Sequence, residues 1–132
     1  VTEPVQYLLE YGDGPAQTEV STVDELDHAL DEVNREAEQD QVPYAVYVFT
    51  PAAWDGPVLA LGVGRDFSFL NFDNAHVVGD LDSDKPTEWW YGNDWGHRPP
   101  GRGIPVETAR EAAREFVRTG QRPTNVEWIE AE

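Results

Sequence analysis

Cysteine is absent from the 132-residue chain, which excludes disulfides and thiolate metal sites and fits a reducing compartment. Long apolar runs are missing too. No stretch approaches the roughly 18 apolar residues that a membrane span needs. No basic-then-apolar leader precedes the first strand-like segment; the chain opens on Val1. These absences predict a soluble, cytoplasmic protein with no membrane partner. Basic residues are scarce as well, with nine Lys and Arg against 26 Asp and Glu and a net charge of −17. The scarcity is uneven. Residues 1–84 hold 18 acids against Arg35 and Arg65 alone, whereas residues 85–132 hold eight acids against seven bases. Such a field repels nucleic acid and anionic membrane and speeds association with a basic partner.

The motifs of catalysis are also missing. His28, His76 and His97 show no metal-ligand spacing. Asp80, Asp82 and Asp84 open like a calcium loop, but the glycine required after Asp84 is missing and position twelve is Tyr91 instead of Glu. Ser68 and Ser83 lack a nucleophile-elbow context. No Gly-Lys-Ser/Thr follows Gly62 and Gly64, so these glycines read as strand punctuation. With so many acids, a chance carboxylate pair means little. The expectation is no catalytic residue, no bound metal and no cofactor.

What is present is patterned. At this length the chain predicts one domain, 1–132, with a sizeable core, and five each of Trp, Tyr and Phe supply large buried areas. Val5–Tyr11 reads as a strand closed by Gly12-Asp13-Gly14-Pro15. Ser21 or Thr22 caps a helix whose apolar stripe is Val23, Leu26, Leu30, Val33 and Ala37. Its other face holds Asp24, Glu25, Asp27, Asp31, Glu32, Glu36 and Glu38. Tyr44–Thr50, Val58–Val63, Phe67–Phe72 and His76–Gly79 are short and rich in β-branched and aromatic residues, which predicts an antiparallel meander. A second helix begins at Pro105 and stops at Gly120, with Val106, Ala109, Ala113, Phe116 and Val117 on its apolar face. A last strand follows through Val126, Trp128 and Ile129. The order predicts an α+β fold, with two helices on one face of a largely antiparallel sheet.

One constellation suggests binding. Asp80, Asp82 and Asp84 precede Glu88, Trp89, Trp90, Tyr91, Asp94 and Trp95 in a turn-rich stretch with a strand at 89–91. Adjacent Trp89 and Trp90 would point to opposite faces of that strand. Aromatic anchors ringed by carboxylates suit an Arg- and Lys-lined partner. The candidate partner-binding residues are therefore Asp80, Asp82, Asp84, Glu88, Trp89, Tyr91, Asp94 and Trp95. Two other uses of these features are an acidic nucleic-acid mimic or general binding module, and a small carbohydrate-binding or hydrolase domain built on the tryptophans.

The stretch Gly103-Ile104-Pro105 through Phe116-Val117-Arg118-Thr119-Gly120, then Arg122-Pro123 and Trp128, resembles the C-terminal part of the Imm1 immunity proteins of bacterial polymorphic toxin systems. The resemblance implies an α+β domain that is not an enzyme and that silences a cognate toxin. It implies further that the toxin is a nucleic-acid deaminase, or alternatively a nuclease, whose basic substrate cleft is occluded. It carries no binding positions over to this chain and leaves the oligomeric state open.

Overall fold

The computed structural model describes residues 6–11, 17–50, 56–81, 87–91, 94–98 and 101–130, with the side chains of Thr87, Tyr91, Asp94, Trp95, His97 and Arg98 outside that description. The described residues form, in order, β1 (Tyr7–Glu10), β2 (Gln17–Val20), α1 (Val23–Asp40), β3 (Tyr44–Phe49), β4 (Val58–Val63), β5 (Leu70–Phe72), β6 (Ala75–His76), β7 (Gly79–Asp80), β8 (Thr87–Tyr91), β9 (Asp94–Arg98), β10 (Arg102–Gly103), α2 (Val106–Thr119) and β11 (Ile129–Glu130).

Alternating side chains on β3 and β4 build the centre of the sheet. Tyr44, Val46 and Val48 face the helices together with Leu59, Leu61 and Val63. The two strands pair antiparallel in register from Tyr44↔Val63 to Phe49↔Val58. Outward from this pair the order is β11-β6-β5-β4-β3-β1-β2, and the β8–β9 hairpin joins β3 through the parallel bridge Tyr44↔Trp90. The remaining pairs in this sheet are antiparallel, while β7 and β10 form a separate short parallel ladder. The expected α+β arrangement, two helices on a mainly antiparallel sheet, is what forms.

Both helices form where their caps dictate. Thr22 accepts from the Glu25 amide at 3.1 Å, and the Glu25 carboxylate accepts in return from the Ser21 amide at 2.9 Å, so two amides left over at the helix start are satisfied. α2 ends at Gly120, whose positive φ of 70° lets its amide reach the Phe116 carbonyl at 2.7 Å. Leu26, Ala29, Leu30, Val33 and Ala37 of α1 meet Ala109, Ala112, Ala113, Phe116 and Val117 of α2 in the main core. Phe116 lies at its centre, with ring centroids 5.4 Å from Tyr7 and 5.5 Å from Phe72.

Several boundaries differ from the sequence expectation. Val106 is exposed in the first turn of α2 instead of lying on its buried face. The final strand is confined to Ile129–Glu130; just before it, the Trp128 indole N–H donates to the Pro123 carbonyl at 2.7 Å and the ring packs on Phe72. The strand expected at His76–Gly79 is split between β6 and β7, and the one expected from Phe67 begins at Leu70. Strands β2, β9 and β10 were not anticipated. The turn Gly12–Pro15 lies outside the described residues.

Candidate functional site

The β8–β9 hairpin joins the sheet beside β3, and its Trp89 packs on the face opposite the helices, where small residues make the seat. Ala45 of β3 and Ala60 of β4 form a compact cluster there with Phe69 and Trp89, edged by Tyr47 and Phe67. Gly62 completes it: a Cβ on this residue would lie 2.4 to 2.8 Å from three carbons of the Trp89 ring. Ser68, fully buried, donates to the Gly62 carbonyl at 2.8 Å and accepts from its amide at 3.0 Å, fixing the backbone under the indole. Phe67 and Phe69 stand 6.0 and 5.1 Å from the Trp89 ring, and the Arg65 guanidinium lies 5.3 Å from its centroid. The Trp89 indole N–H finds no acceptor among the described residues, so packing holds this side chain in place.

That geometry corrects one expected contact residue. Trp89 is 1% exposed and cannot meet a partner, or a sugar, without being pulled from its slot. Glu88 is exposed, and its carbonyl accepts from Arg65 Nη2 at 2.9 Å. Asp80 is exposed at the end of the β7–β10 ladder. Asp82 and Asp84 lie outside the described residues. For Tyr91, Asp94 and Trp95 the backbone is placed in the hairpin, with Trp90↔Trp95 and Tyr91↔Asp94 in register. Asp80 and Glu88 thus belong to different ladders.

A second feature is how the arginines are used. Arg110 Nη2 lies 2.8 Å from Asp31, and Arg114 reaches Asp27 at 2.9 Å, Glu107 at 2.6 Å and Glu111 at 3.1 Å. Hydrogen bonds to these carboxylates, Glu107 first, hold the Arg114 guanidinium ever more firmly in its charged form. The Arg114 bond likewise holds the Glu111 carboxyl below the usual range. Arg118 joins Glu111 at 3.4 Å, Arg35 pairs with Glu32, and Arg122 pairs with Glu130. Sequence reasoning missed this network, although a signal for it exists. Asp27 and Asp31 are one helical turn apart, as are Arg110 and Arg114, so two matched pairs lie ready to meet across a helix contact. The acidic face expected of α1 is therefore partly neutralised from within, while Asp24, Glu38 and Asp40 remain exposed.

A third feature also escaped the sequence reading. The large hydrophobic side chains exposed among the described residues are Val78, Leu81, Val106 and Ile129. Val78 and Ile129 border a surface cleft of about 300 Å³ that is also lined by Val77, Ile104, Val126 and Glu127. Among the described residues no group of three or more His, Asp and Glu side chains could hold a metal ion, and no helix is long and apolar enough to cross a membrane.

No curated protein matches this chain. The model of one family, described as Immunity protein Imm1, matches residues 14–130, which take in both helices and the strands from β2 onward. Proteins of this kind neutralise a cognate toxin by binding it and perform no chemistry of their own. By this match over most of its length, the chain belongs to the Imm1 family of immunity proteins.

Proposed function

We propose that this immunity protein acts in the cytoplasm on a toxin that attacks nucleic acid, a deaminase or alternatively a nuclease, and that it works by lying across the toxin's basic substrate cleft. The carrying observation is the distribution of charge. Arg35, Arg110, Arg114, Arg118 and Arg122 are paired with the chain's own carboxylates, whereas Glu19, Asp24, Asp66, Asp80 and Glu127 are exposed. A surface of that sign complements a cleft built to hold phosphates, and it cannot itself hold nucleic acid. Exposed carboxylates pair with guanidinium and ammonium groups through charge-assisted bonds. The acids at 80, 82, 84, 88 and 94 form the proposed contact segment, with Tyr91 and Trp95 as its aromatic members.

The test uses the toxin domain encoded beside this chain. Purified immunity protein should inhibit turnover of a DNA or RNA oligonucleotide competitively, with added nucleic acid displacing it. Inhibition that leaves the oligonucleotide bound would refute occlusion. Reversing Asp80, Asp82 and Asp84 to Lys should slow association several-fold with little loss of fold. Unchanged association kinetics would remove this segment from the interface.

A further inference from the structure

Among the described residues four large apolar side chains stand exposed, and two of them, Val78 and Ile129, line one cleft. Val78 is 62% exposed, Leu81 49%, Ile129 46% and Val106 37%. Val78 and Leu81 flank β7, which is bound to β10 through the Gly79 amide to the Gly101 carbonyl at 2.9 Å and the Leu81 amide to the Gly103 carbonyl at 3.2 Å. β10 leads directly into Ile104, Pro105 and Val106 at the start of α2. Ile129 lies on β11, the terminal strand of the sheet, opposite His76 of β6. The cleft between these segments has buried Val77 and Ile104 among its lining. The Glu127 carboxylate lines the opening, and exposed Asp80 follows Gly79 on β7 in the chain.

We propose that this cleft is the anchor for the toxin, and that it takes an apolar side chain from a toxin segment flanked by Lys or Arg. The inference rests on the immunity reading and deepens it by naming a contact surface separate from the β8–β9 hairpin. An apolar cleft bordered by the Glu127 carboxylate has the layout of an interface centre, where desolvated apolar anchors carry most of the binding energy and the polar border excludes water. Charge selects the occupant. A second copy of this chain carries the same net charge of −17, and like charges brought together oppose association. A basic partner meets that charge with attraction. The elements bearing the cleft are pinned by backbone hydrogen bonds, so the anchor is formed before the toxin arrives and little ordering is needed on binding.

The test compares the wild-type chain with Val78→Asp/Ile129→Asp, using the toxin domain encoded beside it and reading the dissociation constant, protection of cells and the melting curve. The double variant should melt like wild type and bind roughly 30-fold more weakly or worse. Thr18→Asp on the far edge strand β2 should bind as wild type does. Binding by the double variant within about threefold of wild type would overturn the anchor while leaving the immunity reading intact. Failure of the wild-type chain to bind the toxin would overturn both. A wild-type dimer that the double substitution dissolves, with toxin binding unchanged, would assign the cleft to a second copy and overturn the proposal. If the double variant unfolds, hydrogen exchange on the wild-type complex decides: slowed exchange at 77–81 and 126–130 supports the anchor, and unchanged exchange there refutes it.

Discussion

Replacing Gly62 with alanine adds a single methyl group in the middle of β4, and in most strands that change is favourable. Glycine loses more backbone freedom on folding than alanine, a difference of roughly 0.5 to 1 kcal/mol. Here the sign should reverse. The new Cβ would lie 2.4, 2.5 and 2.8 Å from three ring carbons of Trp89, well inside the distance at which carbon atoms repel. The indole has nowhere to retreat, since it is wedged between Phe67 and Phe69 over Ala45 and Ala60. Overpacking of this kind typically costs about 1 to 3 kcal/mol. Gly62→Ala should therefore destabilise the fold by about that amount, read from urea unfolding followed by far-ultraviolet circular dichroism.

The stronger form of the experiment is a cycle with Trp89→Leu. That variant loses the ring's packing and is itself destabilised, by an amount that need not be known in advance. In its background the methyl group of Gly62→Ala meets open space, and the same substitution should become neutral or stabilising. A coupling of at least about 1 kcal/mol between the two positions is expected, as for other residues in direct contact. If Gly62→Ala cost the same with and without the indole, the small-residue seat would not be what positions the hairpin. The reasoning about β8 and β9 would then fail with it.

Three further outcomes follow from the packing and the charges. Phe116→Ala removes the ring at the centre of the main core, fully buried against Tyr7 and Phe72, and should cost about 3 to 5 kcal/mol in chemical denaturation; a melt like that of wild type would refute its placement. Arg114→Met leaves Asp27, Glu107 and Glu111 facing one another. Because Arg114 is partly screened by solvent, the loss should fall between that of a surface pair and a buried one, about 1 to 3 kcal/mol, and Asp27→Asn in the same chain should recover part of it. For His76, burial first and the Arg102 charge second push the imidazole below its ordinary 6.5. The unfolded chain then takes up the proton first, so stability should decline as pH falls below 6.5 towards the folded value. That decline should be shallower in His76→Gln, and an identical pH profile would remove His76 as its source.

The elements were legible where local pattern and burial agreed. β4 runs over Val58–Val63 as its β-branched residues predict, and α1 and α2 obey their caps at Thr22 and Gly120. β2 was illegible because Gln17, Thr18 and Glu19 are all exposed on an edge strand, so no alternation betrays it. The candidate site was legible in chemistry but not in placement. Trp89 and Trp90 do alternate as adjacent strand residues must: Trp90 packs against the helix-side core and Trp89 enters the cluster on the other face. The sequence could not show that Gly62, Ala45 and Ala60 leave a slot there, because those residues come from two other strands. Val78, Ile104 and Ile129 likewise meet only through long-range pairing, and each alone looks like an ordinary strand residue.

Two contributions to toxin binding can be separated physically. Exposed carboxylates act at a distance of about a Debye length and chiefly raise the rate of encounter, an effect that salt erodes. The apolar cleft proposed as the anchor would act only on contact and chiefly set how long the complex lasts. Two arginines of α2 are turned towards α1. Arg110 and Arg114 neutralise Asp27 and Asp31 where two helices meet, which relieves repulsion inside the fold. Both guanidinium groups are largely covered and answered by carboxylates, so they add little positive charge to the surface. On the proposed mode of action this protein needs both a stable core and a strongly negative face, and those requirements conflict through self-repulsion. Internal ion pairing at the helix contact lets one sequence meet both.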